Sequence, residues 1–239
     1  MSRDPSVNRI FRQVVWRALK RYALPMRDIY LASIWTRTCK NPRVAFSRPP
    51  WQLGEIEVGF GSNAATIIDV EYADTLTNIS IGKYVSIGRN LKIIDAVGHD
   101  ASRPTTANLY DVFGYSTTMA MVHKGPVEIG SDCWIGDDVT ILGGTTIPIG
   151  CIVGTRTVVT SSLEPFGVYV GVPARQVRLR FDSDTRKRLL KSRWWDLPPE
   201  VIRRSLQLFQ CDVEFVIRAA GAVESEAELD FDVGNRPPL

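Results

Sequence analysis

Histidine is the scarcest side chain in this sequence: the 239 residues hold two, His99 and His123. A resident zinc or iron site needs three or four nitrogen, sulfur or carboxylate ligands. Two histidines per chain do not supply a histidine cluster, and no metal is expected. Cysteine is almost as sparse. Cys39, Cys133, Cys151 and Cys211 stand at long, irregular gaps with no CxxC pair, which argues against a disulfide framework or a zinc ribbon. The thiols are expected to be reduced and the compartment cytoplasmic. No stretch approaches the ~20 apolar residues of a membrane span, and MSRD at the start leads into no signal-peptide apolar core. Charge of one sign is not in excess either. The chain has 29 basic and 26 acidic residues, net +3, so nucleic-acid binding is not expected as its main task.

What the sequence does have is a period of six. From Ile129 the chain reads IGSDCW, IGDDVT, ILGGTT, IPIGCI, VGTRTV, VTSSLE. The leading positions are Ile129, Ile135, Ile141, Ile147, Val153 and Val159, and the fifth positions Cys133, Val139, Thr145, Cys151, Thr157 and Leu163 are small or medium. Ile81, Ile87 and Ile93 open an earlier run in the same register. Six fits neither the 3.6-residue period of a helix nor the two-residue period of a strand. It fits a triangular solenoid with one short strand and one turn per block and three blocks per coil. Each leading aliphatic points inward and stacks on its equivalent one coil away, burying a core no single repeat can bury. The glycines after several leading positions are expected to permit tight corners. The hand of the coil is not derivable from the repeat, although parallel crossovers are normally right-handed.

The repeat divides the chain. Residues 1–50 read as a helical extension: Ile10, Phe11, Val14, Val15, Ala18, Leu19 and Tyr22 share a face interleaved with arginine and lysine, and residues 41–50, with three prolines, read as a linker. A β-helix over 51–175 is expected, with a polar, aromatic loop inserted at 95–126. Residues 176–222 read as helical and 223–239 as a loose acidic tail. A long loop in a regular scaffold usually carries function.

Several stretches resemble one family. Residues 130–136, GSDCWIG, resemble the GNDVWIG signature of the xenobiotic acetyltransferases, hexapeptide-repeat enzymes of the chloramphenicol and streptogramin type. TRTVVT at 155–160 resembles their ATRSVVT, GVPAR at 171–175 their GNPAK, and RLRF at 178–181 and WWD at 194–196 the RKRF and WWDW that follow. The motifs stand in the family's order from about Ile79 to about Ile202. Gly98 stands where the family commonly has Asn, and the N-terminal extension has no counterpart in the short antibiotic enzymes. The resemblance implies a left-handed parallel β-helix, a homotrimer with active sites between subunits, acetyl-CoA as co-substrate in the inter-subunit groove, and a catalytic histidine on the long loop.

That histidine is His99, where the repeat stops. An acceptor hydroxyl or amine must lose a proton as it attacks a thioester, and imidazole titrates in the right range. Asp95 and Asp100 are candidates to orient it. His123 and Tyr110 are candidates for the acceptor pocket, with a plain surface role open for His123. For the cofactor, Gly136, Gly143, Gly154 and Thr155 offer small turn residues beside the pantetheine. Arg156, Arg175 and Arg178 offer guanidinium groups to its phosphates. Trp134, Thr160, Pro173 and Ala174 lie in the matching motifs. Trp194 and Trp195 read as packing. The basic N-terminal helix either packs on the solenoid or makes peripheral membrane contact. The expected activity is acetyl transfer to a small acceptor, first a sugar or nucleotide sugar and second an antibiotic. A non-catalytic β-helix scaffold is the alternative of another class.

Overall fold

The computed structural model describes residues 31–32, 34–35, 41, 43–97, 102, 104–107, 109–114, 122–204 and 206–221. Numbered in chain order, the strands form three main sheets, visited in rotation. Face 1 holds β1 (Ile56–Val58), β4 (Ile79–Ile81), β9 (Val127–Ile129) and β12 (Thr146–Ile147). Face 2 holds β2 (Asn63–Ala64), β5 (Ser86–Ile87), β10 (Trp134–Ile135), β13 (Ile152–Val153), β15 (Gly167–Val170) and β16 (Arg175–Leu179). Face 3 holds β3 (Asp69–Glu71), β6 (Lys92–Ile94), β11 (Thr140–Leu142) and β14 (Val158–Val159). All pairings in these sheets are parallel except that of β15 with β16. The chain is therefore a mainly β, three-sided parallel coil.

The six-residue period sets the inside. The nine leading aliphatics from Ile81 to Val159 are at most 3% exposed. Each contributes on the order of 1.5–3 kcal/mol by burial. The fifth positions stack between them: Val85, Leu91, Cys133, Val139, Thr145, Cys151 and Thr157 are also buried. At the fourth position the backbone turns into the left-handed region. Tyr84, Asn90, Asp132, Asp138, Gly144, Gly150 and Arg156 all have positive φ. Five of the seven are Asn, Asp or Gly, the residues that adopt it at least cost.

The glycines at the second position have a different reason from the one expected. Gly82, Gly88, Gly130 and Gly136 have no positive φ. A Cβ at Gly82 would lie 2.5 Å from the Ser131 nitrogen, and one at Gly136 2.7 Å from the Thr155 nitrogen. They are glycine because the next coil's backbone occupies that space.

The proline-rich stretch is not a linker. Val44 and Phe46 are buried, Phe46 bridges Ile68 in parallel, and Ile68 N–H donates to Ala45 O at 2.8 Å. Residues 43–48 are an incomplete first coil that closes one end of the core. Of the helical extension, Leu31, Ala32, Ile34 and Trp35 are helical. Trp35 is buried against Phe46, ring centroids 4.9 Å apart, and its indole N–H donates to Arg48 O. Residues 1–30 and the tail at 222–239 lie outside the described residues.

At the other end, β16 folds back on β15. The boundary expected at residue 175 thus falls inside a hairpin, and helices begin at Ser183. They are α2 (Ser183–Ser192), α3 (Pro199–Arg204) and α4 (Leu206–Cys211), followed by a helical stretch at 213–221; α1 (Leu109–Val112) lies earlier, in the long loop. Asp182 caps α2, accepting from the backbone N–H of Asp184 and Thr185. Phe166, Leu189 and Val216 form a second small core. Trp194 stacks on Tyr84 at 5.5 Å, and Lys83 pairs with Asp196 at 2.8 Å, so the WWD motif fastens the helices to the solenoid.

Candidate active site

In the regular coils a residue pairs with one 18 positions on: Glu128 with Thr146, Trp134 with Ile152, Thr140 with Val158. The offset is 23 between Ile56 and Ile79 and 48 between Ile79 and Val127. Both surpluses leave the coil at the same corner, between face 3 and face 1. The smaller is the turn from Glu71 to Ile79. The larger is the long loop between β6 and β9. Its ends are joined by a short antiparallel ribbon, β7 (Ala96–Val97) with β8 (Val122–His123), in which Ala96 pairs with His123. The corner rule of the solenoid therefore stacks two insertions directly on each other.

A cluster of polar side chains forms where they meet. His123 Nδ1 lies 2.6 Å from Asp95 Oδ2, and Nε2 lies 3.1 Å from Asp74 Oδ2. Thr77 Oγ1 donates to the same Asp95 oxygen at 2.7 Å. Asp74 is held in turn by its own N–H on Thr77 Oγ1 and by Leu76 N–H on Asp74 Oδ1. The side chains are 1% exposed at Asp95, 15% at His123 and 43% at Asp74. Burial pulls the imidazole pKa down, but the hydrogen bonds and charges of Asp95 and Asp74 outweigh it, and the pKa stands above its ordinary 6.5.

The turn of the next coil presses on this cluster. A Cβ at Gly143 would come 2.1 Å from Asp95 O, and one at Gly144, where φ is +71, 2.3 Å from Lys124 O. Gly143→Ala is expected to destabilise the fold by about 1–3 kcal/mol. In a thermal melt that reads as a Tm about 2–4 °C lower for each kcal/mol. An unchanged Tm would show that the turn has room to yield.

The other sequence-derived candidates fall in several places. His99 and Asp100 lie outside the described residues. Tyr110 is exposed on α1. Gly136, Gly154 and Thr155 stack at the corner between faces 2 and 3. Pro173 and Ala174 stand beside that corner over the start of face 3, where Ala174 N–H donates to Val158 O of β14 at 2.9 Å. Arg156 stands at the same corner, its side chain 83% exposed and 3.8 Å from Asp138. Arg175 and Arg178 are exposed on β16, and Trp134 is 58% exposed on face 2. Gly143 and exposed Thr160 belong instead to the corner between faces 3 and 1. Concavities also lie elsewhere. One of 430 Å³ is on face 1, beside Glu57, Ser80, Glu128 and Thr146. One of 240 Å³ is under the C-terminal helices, beside Arg180 and Asp132, whose carboxyl burial pushes up against the pull of Arg180. Among the described residues no group of three His, Cys, Asp or Glu is arranged to hold a metal.

Asp74 and Thr77 are absent from the sequence-derived candidates, and His123 was not expected between carboxylates. The available signal is the surplus before Ile79. A residue count that overruns the coil marks the corner where Asp74 and Thr77 must project.

No family model matches the chain. A chloramphenicol acetyltransferase of Agrobacterium fabrum is 31% identical over 192 residues, 77% of this chain and 88% of the relative. A probable macrolide acetyltransferase of Lysinibacillus sphaericus is 32% identical over 134 residues, 54% of this chain and 74% of the relative. The solved structure of a galactoside acetyltransferase in complex with coenzyme A matches 60% of this chain and 62% of its own, at 26% identity and a TM-score of 0.44. The alignment with the first relative runs well beyond the half of the chain that the motifs span, and with the six-residue period it identifies the chain as a member of the xenobiotic acetyltransferase family of hexapeptide-repeat, acetyl-CoA-dependent enzymes.

Proposed function

We propose that the protein moves an acetyl group from acetyl-CoA to a hydroxyl or amine of a small acceptor, a sugar or nucleotide sugar, with His99 as general base. The observation that carries this reading is the long loop, which leaves a family solenoid at one corner with His99 two residues beyond the ribbon strand β7. His99 takes the acceptor's proton as its oxygen or nitrogen attacks the thioester carbonyl carbon. The carbon–sulfur bond then breaks, and the proton passes to the departing thiolate. A backbone N–H stabilises the oxyanion between the two steps.

The residues present fit coenzyme A. Small side chains at Gly136, Gly154, Thr155 and Ala174 leave room for the pantetheine arm along one corner, and exposed Arg156, Arg175 and Arg178 offer cations to the phosphates. Exposed Tyr110 and Phe113 on the loop offer aromatic faces to a sugar ring. The proposal includes a left-handed coil, a homotrimer that shares its sites between subunits, and a cytoplasmic setting, with the N-terminal segment packed on the solenoid or touching a membrane surface. The domain reading proposed is a helical extension ahead of residue 43, the β-helix with its loop 95–126, the C-terminal helical region and the tail at 223–239. An antibiotic acceptor is the second reading, favoured by the names of the relatives aligned above.

Thiol release from acetyl-CoA, measured against amino sugars, nucleotide sugars, chloramphenicol and a streptogramin, separates the two. Saturable turnover of a sugar is the expected result. Saturable turnover of chloramphenicol with every sugar inert would give the antibiotic reading its place. A thermal shift with coenzyme A tests the scaffold alternative: ligand at 100 times its Kd stabilises by about 2.7 kcal/mol, and a scaffold shows no shift.

A further inference from the structure

We propose that His123 is a positioning residue: clasped between Asp74 and Asp95, it fixes the return of the long loop to its exit and to the turn of the coil below. The proposal rests on the acetyl-transfer reading of that loop.

The geometry leaves little choice of state. Asp95 is the last residue before β7, and His123 is the last residue of β8. The two bracket the whole insertion. Asp74 comes from the turn one coil earlier, 49 residues from His123. Each ring nitrogen faces a carboxylate oxygen at hydrogen-bond distance. A neutral imidazole has one N–H and would set a lone pair against one carboxylate. Only the imidazolium satisfies both. The elements that meet the ring are the Glu71–Ile79 turn, which supplies Asp74, and the loop exit, which supplies Asp95. The charged groups they turn toward the ring are Asp74 and Asp95; Gly143 and Gly144, from the turn after β11, lie against the backbone of Asp95 and Lys124 and carry no charge. A histidine whose two nitrogens are both taken is not available as a base. Its charge holds the loop ends together instead.

The sign of the pH dependence follows. A histidine whose pKa is raised by folding contributes its full stabilisation below the ordinary 6.5, and loses it as pH rises through the raised value. The loop is therefore clasped below pH 6.5 and loosened as pH rises through the raised value. The pH profile of acetyl transfer gains an alkaline limb that belongs to His123, not to the base.

The experiment uses Asp74→Asn. Asn still accepts from Leu76 N–H, so the turn keeps its shape while one of the two charges is lost. The chain has two imidazoles, which makes their NMR titration simple to assign. In the wild type, His123 is expected to titrate above 6.5. In the variant its midpoint falls by about one unit or more, and the alkaline limb of kcat moves with it. Hydrogen exchange of the loop peptides, corrected for base catalysis, rises through the same midpoint while the coil peptides stay protected. Wild-type His123 titrating at or below 6.5 overturns the proposal. So does a variant in which midpoint and loop exchange stay where they were. Neither readout needs turnover: a protein inactive on every acceptor would sink the acetyl-transfer reading and leave the clasp to be judged on its own.

Discussion

His99→Ala is expected to lower acetyl transfer by about 10²–10⁴-fold, the range for losing a general base, with coenzyme A binding retained. Of the two histidines, His123 has both ring nitrogens committed to carboxylates. The proton of the acceptor must therefore go to His99 or to a group outside the imidazole class. The measurement is the rate of thiol release at saturating acceptor, beside a coenzyme A thermal shift on the same preparation. A variant that keeps its rate removes His99 as the base. A variant that loses the thermal shift as well would put His99 in the donor's binding and not in proton transfer.

Ile135→Ala is expected to cost about 2–5 kcal/mol, or roughly 4–20 °C in Tm for a chain of this size. Ile135 is fully buried and lies in register between Ile87 on one coil and Val153 on the next, both nearly or fully buried. Truncation opens a cavity in the stacked column, and the tight backbone approach at Gly88 and Gly136 leaves the coils little freedom to collapse into it. Trp134→Ala, one residue away, is the control. Its indole points outward and is 58% exposed, so in an isolated chain the change costs within about 0.5 kcal/mol. A loss at Trp134 as large as that at Ile135 would mean that another subunit covers it.

The core was legible because its rule is carried by one residue in six. From Ile129 to Val159 the spacing never breaks, and burial follows it. The first full coil was not legible in the same way. Its inward positions are Val58, Ala64 and Val70, set among polar and turn residues, and the surplus before Ile79 breaks the count. Residues 43–48 were hidden by their prolines, which signal turns whether or not the chain between them is buried. The cluster around His123 was least legible of all. Its partners lie 28 and 49 residues away, and only the stacking of two insertions on one corner brings them together. The sequence offers Asp95 as an orienting carboxylate, but its distance to His123 belongs to tertiary structure, which composition and spacing do not encode.

A parallel solenoid has a weakness that closed barrels avoid: each end offers a ready template of unpaired strand edges to another molecule. Here the chain blunts both. At one end residues 43–48 and the Trp35–Phe46 pair lie over the first full coil. At the other, β16 runs antiparallel to the stack and brings Arg175 and Arg178 to its rim. A further coil would have to pair in the wrong direction. Removal of β16 would turn a finite rod into a seed for end-to-end polymerisation.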